Sequence, residues 1–309
     1  MDDRSQPRAF APRDKLRQAA TLTKSGARRY HREAIRALRG QSPVHDAIRI
    51  DPADATAPLA AAWLGHATVL VRLGDRWILT DPVLSHRIGV KFGPITLGVP
   101  RLLPAVDPAT LPPIDLILLS HAHFDHLDKP TLKKLVSRDT RVVTATGTAD
   151  LIPRGFGEVH ELPWDAVTTL AGVEIRAVRP EHWGARTALD RRRGFNAYLV
   201  RADAGRVLFT GDTAQTDAFA RVNGADLTIF GIGAYNPWVH AHATPEQAWC
   251  MHTAAGGSYL LPMHHSTFKL SDEPAGEPMQ RLLAAAGPRA ASIVGRTLAT
   301  FWNRDTHAA

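Results

Sequence analysis

The chain has almost no cysteine: Cys250 is the single one in 309 residues. That excludes an internal disulfide framework, fits a reducing cytoplasm, and leaves any metal site to histidine and carboxylate. Long apolar runs are missing too. No stretch approaches the roughly 18 consecutive apolar residues of a membrane span, although hydrophobic residues make up 44% of the chain and suffice for a sizeable core. The opening Met1-Asp2-Asp3-Arg4-Ser5 lacks the basic-then-apolar pattern of a secretion signal, so a cytoplasmic location is expected. Net charge is absent from most of the chain. Residues 1–40 hold eleven Lys/Arg against four Asp/Glu and so carry the whole +7, while 41–309 balance at zero. Nothing in the body therefore suggests nucleic acid. The basic leader fits a solvated, partly helical extension, or peripheral contact with an anionic membrane.

What the chain does have is histidine in a dense array. Ser120-His121-Ala122-His123-Phe124-Asp125-His126-Leu127-Asp128 packs three histidines and an aspartate into six residues. It follows Ile114-Asp115-Leu116-Ile117-Leu118-Leu119, a short run bounded by prolines that reads as a buried strand. Imidazole and carboxylate suit zinc and similar divalent ions. Period-two alternation sends His121 and His123 to one side, and the turn after them brings Asp125 and His126 to a second position. Two ions about 3.5–4 Å apart can share one nucleophilic oxygen. Further ligand types also stand at strand ends: His182 after 173–178, Asp212 after 206–210 and Gly211, and the pair His264-His265 after 259–261. Asp212 has two oxygens with which to bridge two cations.

The remaining pattern suggests an α/β fold. Residues 1–58 read as a basic extension and linker, and 59–309 as one domain. Strands are expected at 61–66, 68–73 and 77–80, with a tight turn at Gly74-Asp75. Residues 83–113, rich in Gly and Pro, read as a long functional loop. Its apolar members Val90, Phe92, Ile95, Leu97, Val99 and Leu102 are either a substrate groove or ordinary buried anchors. Helices are expected at 129–136, 148–152, 245–253 and 278–286, with Asp128 and Thr244 as N-caps of the first and third. Strands are expected at 141–144, 167–170, 173–178, 195–201, 206–210, 227–230 and 259–261. Two sheets packed face to face and flanked by helices, an αββα four-layer sandwich, accommodate this order.

The His-x-His-x-Asp-His motif after an apolar strand resembles the signature of the metallo-β-lactamase superfamily. The segments Trp63-Leu64-Gly65-His66-Ala67-Thr68, Thr80-Asp81-Pro82-Val83-Leu84-Ser85, Gly231-Ile232-Gly233-Ala234-Tyr235 and His264-His265-Ser266-Thr267-Phe268 are similar to those of N-acyl-phosphatidylethanolamine-hydrolysing phospholipase D and its bacterial relatives. The likeness covers about residues 60–305. It implies a dinuclear hydrolase with His121, His123 and His182 on one metal, Asp125, His126 and His264 on the other, and Asp212 bridging. His264 aligns with the last metal histidine, and His265 stands where a tryptophan is usual. Zinc is expected, with manganese or iron as alternatives. Asp125 and His242 are implied as catalytic residues, and His242 (with His240 as a weaker match) and Tyr235 as substrate contacts. His66 and Asp81 are expected to support ligands from behind. A phospholipid-like phosphodiester is the expected substrate, with a lactone as the alternative, for which Arg186, Arg191, Arg192 and Arg193 are available. A nucleic-acid-binding module without turnover is the remaining reading.

Overall fold

The computed structural model describes residues 46–92, 95–187, 190 and 193–304. The basic extension up to residue 45, together with Arg191 and Arg192, lies outside the described residues.

Among the described residues, fifteen strands form two sheets and a hairpin. The first sheet has the order β15-β1-β2-β3-β6-β7-β8. Its members are β1 (Leu59–Trp63), β2 (Val69–Leu73), β3 (Arg76–Thr80), β6 (Leu116–Leu119), β7 (Arg141–Ala145), β8 (Glu158–Leu162) and β15 (Phe301–Asn303). The second has the order β14-β13-β12-β11-β10-β9. It comprises β9 (Val167–Leu170), β10 (Val173–Val178), β11 (Ala197–Ala202), β12 (Gly205–Phe209), β13 (Ala225–Gly231) and β14 (Gly257–Met263).

Alternation along β6 explains its unbroken apolar run. Leu116 and Leu118 enter the core between the sheets, where Ile175, Tyr198, Phe209 and Ile229 meet them. Ile117 and Leu119 enter a second core on the outer face, closed by Leu132 of helix α1 (Lys129–Lys134). A strand covered on both faces needs apolar residues at every position. The second sheet is covered likewise. Leu199, Leu208 and Phe230 pack beneath Met251 of α2 (Pro245–Ala254) and Leu282 of α3 (Glu277–Ala286). The layers therefore run helix, sheet, sheet, helix. Thr244 caps α2 through a reciprocal bond pair with Gln247. Asp128 stands at the N-cap of α1 but makes no capping bond; its Oδ2 accepts the hydroxyls of Ser85 and Thr131 instead.

Four segments differ from the sequence reading. Residues 83–113 are not a structureless loop: β4 (Arg87–Phe92) and β5 (Ile95–Pro100) pair as a hairpin outside both sheets. Gly89 faces Gly98 across it, and a Cβ on Gly98 would lie 1.8 Å from the Ile88 carbonyl oxygen. The facing glycines that suggested a loop are what this close pairing requires. The helix expected at 148–152 is a single 3-10 turn, Ala149–Leu151. Strands β8 and β15 appear where none was expected. The residues of β8, Glu-Val-His-Glu-Leu, belong to an edge strand with only Leu162 buried.

Candidate metal centre

The site forms where strands of both sheets end. β3, β6, β10, β12 and β14 run into it, because β3 is parallel to β6, β12 is parallel to β13 and β14, and β10 lies two antiparallel steps from β12. The segments after their C-terminal ends carry Asp81, His121–His126, His182, Asp212 and His264. The turn between β1 and β2 adds His66. Gly211, at φ +56°, lets the Asp212 loop reach the His121 loop. A Cβ there would lie 2.6 Å from the Ser120 Cβ.

Three of these residues hold unfavourable backbone. His66, Asp81 and His264 have φ of 54°, 31° and 60°. Left-handed conformations cost non-glycine residues roughly 1–3 kcal/mol each and gather at functional sites. Here they are held by bonds from the His66 amide to Thr267 Oγ1 (2.7 Å), from the His264 amide to the His66 carbonyl (3.0 Å), and from the Asp81 amide to the Leu118 carbonyl (2.9 Å).

Among the described residues the side chains form four overlapping groups of mutually close ligand atoms. The smaller ones are Asp81, His121 and His126, and Asp212, His242 and His264; the two largest are His121, His123, His182 and Asp212, and His66, Asp125, His126 and His264. Asp212 Oδ2 lies between them, 3.0 Å from His126 Nε2, 3.3 Å from His264 Nε2, 3.7 Å from His182 Nε2 and 3.9 Å from His121 Nε2. His242 Nδ1 stands 3.7 Å from the same oxygen. The outward nitrogens are fixed by the bonds on the other side of each ring. His126 Nδ1 donates to Asp81 Oδ2 (2.6 Å), and His182 Nδ1 donates to the Ala241 carbonyl (3.0 Å). Ser120 Oγ donates to Asp81 Oδ2 (2.5 Å) and therefore accepts from His121 Nδ1 (2.9 Å). His126 and His182 thereby turn Nε2 to the centre, and His121 turns Nε2 to within 2.8 Å of His123 Nδ1.

The electrostatics follow from this arrangement. Burial, reinforced by His126 for His121 and opposed only in part by Asp212 for His182, holds both imidazoles well below their usual pKa. Burial also lowers His123 and His242 to about 4 and His66 to about 3. Burial would raise Asp212 and Asp125, but facing histidines, His126 foremost, hold both carboxyls well below the carboxylate range. For His126 and His264 burial is outweighed by carboxylates, Asp212 first. His126 is raised well above normal and His264 to about 9. Two ionised aspartates thus demand positive charge at the centre. Yet His126 Nε2, His182 Nε2, both nitrogens of His264 and both oxygens of Asp212 are buried without hydrogen-bond partners. Divalent cations would supply that charge in place of the protons on His126 and His264, so ionised carboxylates and partnerless histidine nitrogens gathered at common points are a donor set that fits them.

A cavity of about 820 Å³ opens onto the centre. His123, Asp125, Asp212 and His242 form its floor, and Ile88, Val90, Leu97 and Val99 of the hairpin form one wall with Trp183, Phe124 and Trp238 opposite. Of the expected substrate contacts, His242 lines the cavity and Tyr235 does not. The Tyr235 hydroxyl donates to Glu277 (2.7 Å) and its ring lies under Arg281, while neighbouring Ala234 and nearby Trp238 take the cavity wall. His240 is exposed beside Trp238. His265 turns away and stacks on Trp63, with ring centroids 4.6 Å apart. His66 Nε2 lies 3.0 Å from Asp125 Oδ2, within the same group of ligand atoms. Trp183, against His123 and His182, escaped sequence reading; its place directly after His182 was the available signal.

Known proteins resemble this chain in sequence and fold. An uncharacterized protein of Mycobacterium tuberculosis is 32% identical over 255 residues, which span 76% of this chain and 66% of that relative, just under two thirds of its length. N-acyl-phosphatidylethanolamine-hydrolyzing phospholipase D 1 of Caenorhabditis elegans is 27% identical, over 74% of this chain and 69% of its own. The crystal structure of a possible metal-dependent hydrolase from Veillonella parvula superposes with a TM-score of 0.61 over 79% of this chain and 98% of that one, and at 14% identity it shows the common fold. A family model described as a β-lactamase superfamily domain matches residues 76–265. With that match on a four-layer fold whose strand ends gather histidine and aspartate, the chain belongs to the metallo-β-lactamase superfamily of metal-dependent hydrolases.

Proposed function

We propose that the centre holds two divalent cations, zinc before manganese or iron, and hydrolyses a phosphodiester in a phospholipid-like substrate. The observation that carries this reading is the position of Asp212 Oδ2 between two ligand groups at the floor of a large, mainly apolar cavity. His121, His123 and His182 would hold one ion, Asp125, His126 and His264 the other, and Asp212 both. When bound, such ions activate water near neutral pH and stabilise the charge that develops on phosphorus.

The chain's own residues supply the rest. Asp81 fixes the His126 ring through the 2.6 Å bond to Nδ1. His66 holds one oxygen of Asp125, leaving the other to orient the attacking water and take its proton. His242, kept neutral by burial, donates its N–H to a phosphoryl oxygen at the cavity floor. The hairpin wall and Trp183 exclude water and take up the apolar part of the substrate. A small sugar-phosphate lactone would favour a cationic lining. Among the described lining residues the cations are Arg186 and Lys269, while Arg193 is committed to Asp150 and Asp190.

A three-substrate panel tests the reading: a chromogenic bis-aryl phosphodiester, a short-chain N-acyl phospholipid, and a lactone. Metal-dependent turnover of the two phosphodiesters is expected. Turnover of the lactone alone would replace phosphodiesterase by lactonase, and salt-dependent nucleic-acid binding with no turnover would replace hydrolase altogether.

A further inference from the structure

The turn that carries His123, Asp125 and His126 has buried carbonyls to satisfy at both ends. Ala122 and Leu127 are fully buried, and a buried carbonyl needs a donor. Arg186 Nη1 supplies it to both, donating to the Ala122 oxygen at 2.8 Å and the Leu127 oxygen at 3.0 Å. The guanidinium lies over the Phe124 ring, 4.1 Å from its centroid, inside the same turn. Arg186 therefore grips the turn at its start, its middle and its end. It comes from the loop that follows His182, so it also ties the two strand-end segments together. That loop is itself held tightly. At Gly184 a Cβ would lie 2.2 Å from the Gly194 carbonyl oxygen and 2.4 Å from that of Arg193.

We propose that Arg186 is a positioning residue for the metal centre: by clamping Ala122, Phe124 and Leu127 it sets where His123, Asp125 and His126 present their ligand atoms. Its nearness to the cavity would otherwise make it a substrate-phosphate contact, but Nη1 is spent on two carbonyls and one guanidinium face on a ring. The inference rests on reading the centre as a metal site. Lysine cannot replace arginine here, because one ammonium cannot both bracket two carbonyls and stack on the ring.

The test loads metal-free wild type, Arg186→Lys and Arg186→Gln with Co2+, measuring affinity by chelator competition, the visible Co2+ absorption band, and melting. Both variants are expected to lose about tenfold in Co2+ affinity, the scale for residues that orient ligands, with an altered band and Lys no better than Gln. Wild-type affinity and band in both variants would overturn the proposal, as would full rescue by Lys, since charge alone would then suffice. If neither variant melts cooperatively, Phe124→Leu decides. It removes only the ring under Arg186, and an unchanged Co2+ band would overturn the proposal. Failure of wild type to bind Co2+ would instead sink the metal-site reading.

Discussion

At the sheet edge, His121, His126, His182 and His264 are buried beside ionised carboxylates, while His252 and His265 are buried among aromatic and aliphatic neighbours. Both groups include orphaned nitrogens: His252 Nε2 and His265 Nε2 lack partners just as His126 Nε2 and His182 Nε2 do. Burial lowers His252 and His265 to about 4. At the edge, Asp212 and Asp125 reverse that effect for His126 and His264. Burial and an unmet nitrogen therefore do not distinguish a metal centre. The carboxylate set among the rings does.

Removing that carboxylate should have the largest effect. Asp212→Ala is expected to lower kcat/KM for a phosphodiester by at least about 100-fold and to reduce bound metal by elemental analysis. Wild-type metal content would break the comparison. Next comes the carboxylate behind the ring. Asp81→Asn weakens the bond that sets His126 Nδ1 and should cost about tenfold in metal affinity by chelator competition, with the fold intact. In the other group the effect is on stability. His252 has its folded pKa below the unfolded value of 6.5, so the unfolded chain binds the extra proton. Its contribution is complete above pH 6.5 and is lost as pH falls from 6.5 toward 4. His252→Gln keeps a polar partner for Thr228 Oγ1, and melting curves should then lose part of their slope in that window. An unchanged slope would place the titration elsewhere. The smallest effect is expected one residue from a proposed ligand. His265→Phe preserves the stack on Trp63 and should leave metal content unchanged, whereas His264→Phe should remove it.

Much of the centre could be read before any fold was known, because His121, His123, Asp125 and His126 sit in one turn and their spacing is local information. His182, Asp212 and His264 lie far apart in the chain, and each was readable only as a ligand type at a strand end. Nothing local says that those ends share one edge; that follows from strand direction in two sheets. Tyr235 lies off the cavity because its hydroxyl donates to Glu277 and its ring lies under Arg281, both of α3, contacts made across the fold. The hairpin misled for a more local reason. Gly89 and Gly98 mark a loop in most contexts, and only their facing each other makes a strand pair.

The hairpin stands apart from both sheets, and its base is secured by Arg101, which is fully buried and bonds the carbonyls of Leu64, Val83, Leu103 and Pro104. Exchanging residues 87–100 while keeping Arg101 and the Ile88 and Val99 packing on Phe268 is therefore expected to change which substrates are taken and to leave metal content unchanged by elemental analysis. One chemical apparatus could in this way be handed from one client molecule to another by rewriting a single short ribbon.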